Sequence, residues 1–175
     1  MAYRVLDLTD ANTIRAGVFG VQDGIVSTFG LVMGVAGAQV SPEAILIAGF
    51  AGAFSGAVSM GAGEYVSVKV QQELLEARGL TSDGRVHPHR AAAANSGLFV
   101  LGAAFPLLPF LVSVGLTAVL ASTMLSVLAL FGTGAVLTRL TRRSPWASGL
   151  RMLVIGGGAG VLGYIVGSVL GVAVG

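Results

Sequence analysis

The stretch Arg15–Arg78, RAGVFGVQDGIVSTFGLVMGVAGAQVSPEAILIAGFAGAFSGAVSMGAGEYVSVKVQQELLEAR, decides the fold. Two long apolar segments are joined by a short polar break, Gln39-Val40-Ser41-Pro42-Glu43. One acid, Asp23, lies deep inside the first segment, and one thioether, Met60, lies inside the second. An ionisable side chain in an otherwise uncharged span is costly to bury in lipid, so it reads by default as a functional site.

Working outward, the chain of 175 residues is 54% hydrophobic and only 10% charged, with 27 glycines and no cysteine. Soluble domains carry about a quarter charged residues, so a water-soluble fold is excluded. Charge-free runs cover 16–22 and 24–42 around Asp23, then 44–63, 91–138 and 152–175. A membrane helix needs about 20 apolar residues, and these runs supply that length repeatedly. The run 91–138 is too long for one span and divides at Ser113-Val114-Gly115. The expectation is one all-α integral membrane domain over 1–175. Its five helices should fall near 14–38, 43–76, 91–112, 115–138 and 147–174, with a short loop at 79–90. Residues 1–14 suit a short amphipathic lead-in, with Leu6, Leu8 and Ile14 at the interface, or a frayed end. No cleavable signal is expected in residues 1–15, which lack an apolar core. The absence of cysteine removes disulfides, thiolate ligands and thiol redox chemistry together.

The isoelectric point near 9.5 suggests nucleic acid at first sight, but the basic residues are arranged for topology. All ten fall into three groups: Arg4 and Arg15; Lys69, Arg78, Arg85 and Arg90; Arg139, Arg142, Arg143 and Arg151. With five helices these groups share one side, and the two opposite loops contain no lysine or arginine. The positive-inside pattern therefore places the N-terminus in the cytoplasm and predicts no nucleic-acid partner.

On a helical wheel, Ala16, Gly20, Ser27, Gly30, Gly34 and Gly37 fall within about 60° of Asp23. Small residues on one face let another helix approach closely, so Asp23 should point at protein rather than lipid. In the second segment Gly49, Gly52, Gly56, Met60, Gly63 and Ser67 share a face, with Glu64 at its edge. Asp23 lies eight residues inside Arg15 and Met60 nine inside Lys69. Both side chains thus sit at ~12–14 Å depth, near mid-membrane. A carboxylate and a thioether together suit a borderline divalent ion such as Fe2+ better than Mg2+ or Ca2+. Two plainer readings stand beside this one: Asp23 could be held by Ser27 or backbone to lock helices, and Met60 could simply fill space. Beyond Lys69, Glu73 and Glu76 share a face and could greet cations at an entrance, or belong to a solvated helix end. His87 and His89 flank Pro88 without a third ligand nearby, so an ordinary exposed loop is the plainer reading of that pair. Pro106 and Pro109 should bend or locally unwind the third helix, and Gly156, Gly160, Gly163 and Gly167 make a close-packing stripe on the fifth.

Three segments, DGIVSTFGLVMGVAGA, GAVSMGAGEYVSVKVQQELLEA and SGLRMLVIGGGAGVLGYIVG, resemble the vacuolar iron transporter family, in the same order across roughly residues 14–172. The resemblance implies a five-helix homodimer whose first helices line a pathway. It implies proton-coupled export of Fe2+, and often Mn2+, from the cytoplasm, with Asp23 and Met60 as the intramembrane pair and no resident cofactor. Many members insert a glutamate-rich cytoplasmic domain between the second and third helices. Here only 79–90 fills that interval, as in the short nodulin-like branch, leaving Glu64, Glu73 and Glu76 as a remnant entrance. The expected partners are the lipid bilayer, divalent metal ions and a second copy of the chain. The membrane is the cell membrane if the source is bacterial and vacuolar-type if it is eukaryotic. The rival from another class is a passive divalent-cation channel or a non-transporting membrane assembly subunit with a structural Asp23. An enzyme is not expected: no nucleophile–base pair, phosphate loop or cofactor motif is present.

Overall fold

The computed structural model describes residues 8–80, 87–141 and 144–174. These residues form five helices: α1 Leu8–Gly37, α2 Pro42–Ala77, α3 Pro88–Val112, α4 Gly115–Thr141 and α5 Pro145–Val174. All five carry a window apolar and long enough to cross a membrane, and the protein is an all-α integral membrane protein. Residues 1–7 of the expected lead-in, 81–86 of the expected loop, and Arg142 and Arg143 lie outside the described residues.

Local chemistry sets the helix ends. Ser41 caps α2, its hydroxyl oxygen accepting from the Ala44 amide at 3.3 Å, and Pro42 opens the first turn where a missing N–H is no loss. Pro88 plays the same part in α3, which starts three residues earlier than the sequence pattern of 91–112 indicates. The α3–α4 turn falls at Ser113-Val114-Gly115 as expected, with Gly115 at φ +63°, a conformation glycine adopts at no steric cost. Residues 8–13 continue α1 as regular helix.

α3 runs as one continuous helix through Pro106 and Pro109, so of the bend or local unwinding expected there, the unwinding does not occur. Its backbone is held by neighbours: Ser122 of α4 donates to the Pro106 carbonyl at 2.7 Å, and Gly102 lies flush against the α1 backbone at Val21.

α1 is the central strut. Phe29, Val32 and Met33 meet α2, α3 and α4 in the main core, while Ile25 meets Leu130 and Met152 of α4 and α5. Large apolar side chains cover the outside, among them Phe54 at 74% exposure and Val112 at 87%, as a lipid-facing surface requires. Between helices in lipid there is little hydrophobic drive, so cohesion rests on close van der Waals packing. The glycine stripe of α5 supplies much of it: Gly163 and Gly167 lie against the backbone of Gly30 and Gly34, leaving no room for a side chain.

Candidate metal site between α1 and α2

The small-residue face of α1 is not one interface. Toward its start, Gly20 backs onto Asn95 of α3, and Gly24, just outside the stripe, backs onto Phe99. Toward its end, Gly30, Gly34 and Gly37 back onto Ala159, Gly163 and Tyr164 of α5. Asp23 and Ser27 sit where the stripe changes partner, and there the helices leave a gap. On α2, Gly56 abuts the Phe99 ring and Gly52 abuts Leu31, so the two glycines bring α2 in over the gap.

The result is a cavity of about 180 Å³ lined by Asp23, Ser27, Thr28 and Leu31 of α1, Gly52, Gly56, Ser59 and Met60 of α2, and Phe99 of α3. At about 30 Å³ per water in the liquid, it has room for a partly hydrated ion. Asp23 and Met60, singled out in the sequence by their place in apolar spans, their small-residue faces and their shared depth, are both half-buried in its wall. The Ser27 hydroxyl donates to the backbone carbonyl of Asp23 at 2.6 Å. It is therefore spent along the helix and does not tie down the Asp23 carboxylate. The lining residues carry a carboxylate, a thioether and, at Thr28 and Ser59, hydroxyl groups. That donor set is one hard charged group and one soft neutral group, with polar oxygens beside them.

The other candidate residues go elsewhere. Glu64 is 8% exposed and faces α1, where its Oε1 receives a 2.7 Å hydrogen bond from Nη2 of Arg15. It does not line the Asp23–Met60 cavity. Glu73 and Glu76 are exposed on the last turns of α2. His87 precedes Pro88 as the N-cap residue of α3 without a side-chain cap bond, and His89 packs on Tyr65 with ring centroids 5.0 Å apart. Among the described residues, no group of three or more His, Cys, Asp or Glu gathers as a metal cage within one chain.

The sequence reading missed Phe99, Thr28 and Ser59 as cavity walls, and it missed the Arg15–Glu64 pair. A hydroxyl or ring at a given position carries no signal of which neighbour it will face. The pair had one: Glu64 is one turn from Met60 and Arg15 two turns from Asp23, both on the same side of the site.

The family model of the VIT family matches residues 14–80 and 76–168. Vacuolar iron transporter homolog 5 of Oryza sativa subsp. japonica is 42% identical over 142 residues, 74% of this chain and 68% of the relative. Vacuolar iron transporter homolog 4 of Arabidopsis thaliana is 35% identical over 161 residues, 84% of this chain and 78% of the relative. Vacuolar iron transporter homolog 1 of Oryza sativa subsp. japonica is 37% identical over 159 residues, 83% of this chain and 68% of the relative. With a match that runs from α1 into α5, the chain belongs to the VIT family, the vacuolar iron transporters.

Proposed function

We propose that this protein exports Fe2+, with Mn2+ as a second cargo, from the cytoplasm in exchange for protons, along a pathway lined by α1 and α2 at the interface of a homodimer. Members of its family are transporters rather than enzymes, and the relatives just described carry iron transport in their names. The observation that carries the reading is the single cavity that takes in both Asp23 and Met60.

An ionised Asp23 attracts a divalent cation; the protonated acid does not, since metal ligands must be deprotonated to bind. Protons arriving from the far side would therefore discharge the metal, and metal loading would release protons. Competition for one carboxylate gives exchange a simple electrostatic basis. Met60 biases the site toward ions that accept sulfur and against Mg2+ and Ca2+. In a dimer the site would hold two acids and two thioethers. The exposed face of α2 supports such pairing: Ser55, Ser59, Ala62, Gly63 and Ser67 are all exposed there, and nothing lies within 4 Å of a Cβ built at Gly63. Small and hydroxylated residues on a membrane helix suit contact with another helix better than contact with acyl chains. The charge pattern supports a cytoplasmic N-terminus.

The test is Fe2+ uptake into proteoliposomes with and without an imposed pH difference, comparing the parent protein with Asp23→Asn and Met60→Ala. Uptake driven by the gradient and lost in both variants is expected. Uptake indifferent to the gradient would replace the exchanger with a passive channel, and absence of divalent-ion flux would return Asp23 to a structural role.

A further inference from the structure

The Arg15–Glu64 ion pair joins α1 to α2 across 49 positions of sequence, and its ends are unlike: the Arg15 side chain is 59% exposed and that of Glu64 only 7%. A guanidinium on the outside reaches in to hold a buried carboxylate. The helix register shows where. Ala16, Val68 and Ala91 pack together as a small apolar cluster of α1, α2 and α3. One turn inward along each helix, four residues, lie Gly20, Glu64 and Asn95; one turn further lie Gly24, Met60 and Phe99, the level of the Asp23 cavity. Glu64 and Asn95 therefore share the layer immediately outside the candidate metal site.

Asn95 is anomalous in that layer. It is 1% exposed, its backbone is pressed against Gly20, and its Oδ1 has no hydrogen-bond partner. A buried amide oxygen without a donor is costly and rare. A cation is the natural complement of an orphan carbonyl oxygen in the same layer as a carboxylate, because both are hard oxygen donors of the kind divalent ions take. In this structure the cation on Glu64 is the guanidinium of Arg15.

We propose that Glu64 and the Asn95 side-chain oxygen form a relay site for a divalent cation between the Arg15 end of the bundle and the Asp23–Met60 cavity, and that Arg15 is a tethered competitor displaced by the incoming ion. The proposal rests on the pathway reading above. Arg15 suits the part: its long, flexible side chain withdraws to the surface at little cost, and its charge keeps the buried carboxylate compensated while no metal is present. An arrangement meant only as a strut needs neither an exposed partner nor an unpaired amide oxygen in the same layer.

The chain's lack of cysteine allows a direct test. Full-length protein carrying Asp23→Asn, which disables the proposed transport site, is unfolded thermally with and without MnCl2, alone and with Arg15→Gln, Glu64→Gln or both. Arg15→Gln is expected to lower the melting temperature without metal and to gain a Mn2+-dependent recovery larger than that of its Asp23→Asn parent. Glu64→Gln should abolish the recovery, and Asn95→Leu in the Arg15→Gln background should reduce it. An equal loss of stability with and without Mn2+ would make the pair a strut and overturn the relay. As a second readout, Ser59→Cys in the cavity wall is labelled with a cationic methanethiosulfonate in everted vesicles. Arg15→Gln is expected to speed labelling several-fold, and Arg15→Lys, which lacks the bidentate fork, to speed it less. Unchanged rates in both would overturn the competitor role, including where Arg15→Gln fails to fold and Arg15→Lys alone is measured. Failure of the Fe2+ exchange reading would appear in the proteoliposome assay and leave these Mn2+ responses intact.

Discussion

Met60 is half-buried in the wall of a cavity that it shares with a carboxylate, and both facts bear on substitution there. Leucine matches methionine closely in volume, and such swaps in a packed interior cost under about 1.5 kcal/mol. Met60→Leu should therefore leave the fold intact while removing the one soft donor. The expected outcome is a several-fold loss of Fe2+ transport relative to Mn2+, read from competitive uptake of the two ions by proteoliposomes. Retention of the parent ratio would make Met60 a packing residue. Asp23 is the complementary case. The Ser27 hydroxyl is engaged with backbone, so Asp23→Asn is isosteric in a cavity that does not depend on that hydroxyl. Because the protonated acid does not bind metal, Fe2+ binding by the parent protein should weaken as the solution is acidified, and Asp23→Asn should flatten that dependence. Equilibrium metal binding across a pH series measures both.

At the scale of elements, glycine placement explains how helices with little hydrophobic incentive hold together. A side chain at Gly102 would meet the Val21 carbonyl of α1, and one at Gly24 would meet the Phe99 carbonyl of α3. These are backbone atoms that cannot swing away. Overpacking a close contact costs about 1–3 kcal/mol, so Gly102→Ala and Gly24→Ala should each lower thermal stability markedly. Gly63→Ala, at a position with nothing within 4 Å of the added Cβ, should leave the fold of a single chain unaffected. Melting temperatures of the three variants in one detergent decide the matter; equal values would mean that these glycines matter little to packing. The prolines of α3 teach the converse lesson. Sequence alone expects a bend or local unwinding at Pro106 and Pro109, yet α3 continues as helix through both, with Ser122 of α4 donating to the Pro106 carbonyl.

For the whole molecule, the dimer proposed above would have a second copy complete the site through the exposed small-residue face of α2. A single cysteine at Ser55, introduced into a chain that has none, should crosslink to its copy in membranes under mild oxidation. A cysteine at Leu120, on the exposed outer face of α4, should not. Equal crosslinking at both positions would point to random collision and remove the support for a specific dimer.

Length and apolar content along the chain determined five membrane helices, because a bilayer demands that every backbone group be satisfied within a long apolar segment and leaves few alternatives. Helix rise from the nearest basic residues likewise determined that Asp23 and Met60 share a depth. Periodicity could identify the small faces of α1, α2 and α5, but not their partners. Only tertiary packing decided that the α1 stripe divides between α3 and α5 and opens a cavity at Asp23 where it changes hands. Only packing decided that Glu64, apparently one more acid at the edge of a stripe, turns to Arg15 while Asn95 is sealed in the same layer without a donor. The reason is physical: depth in a membrane is a one-dimensional property fixed by position along a helix, whereas facing depends on the rotation of each helix against its neighbours, which is set by contacts distant in sequence.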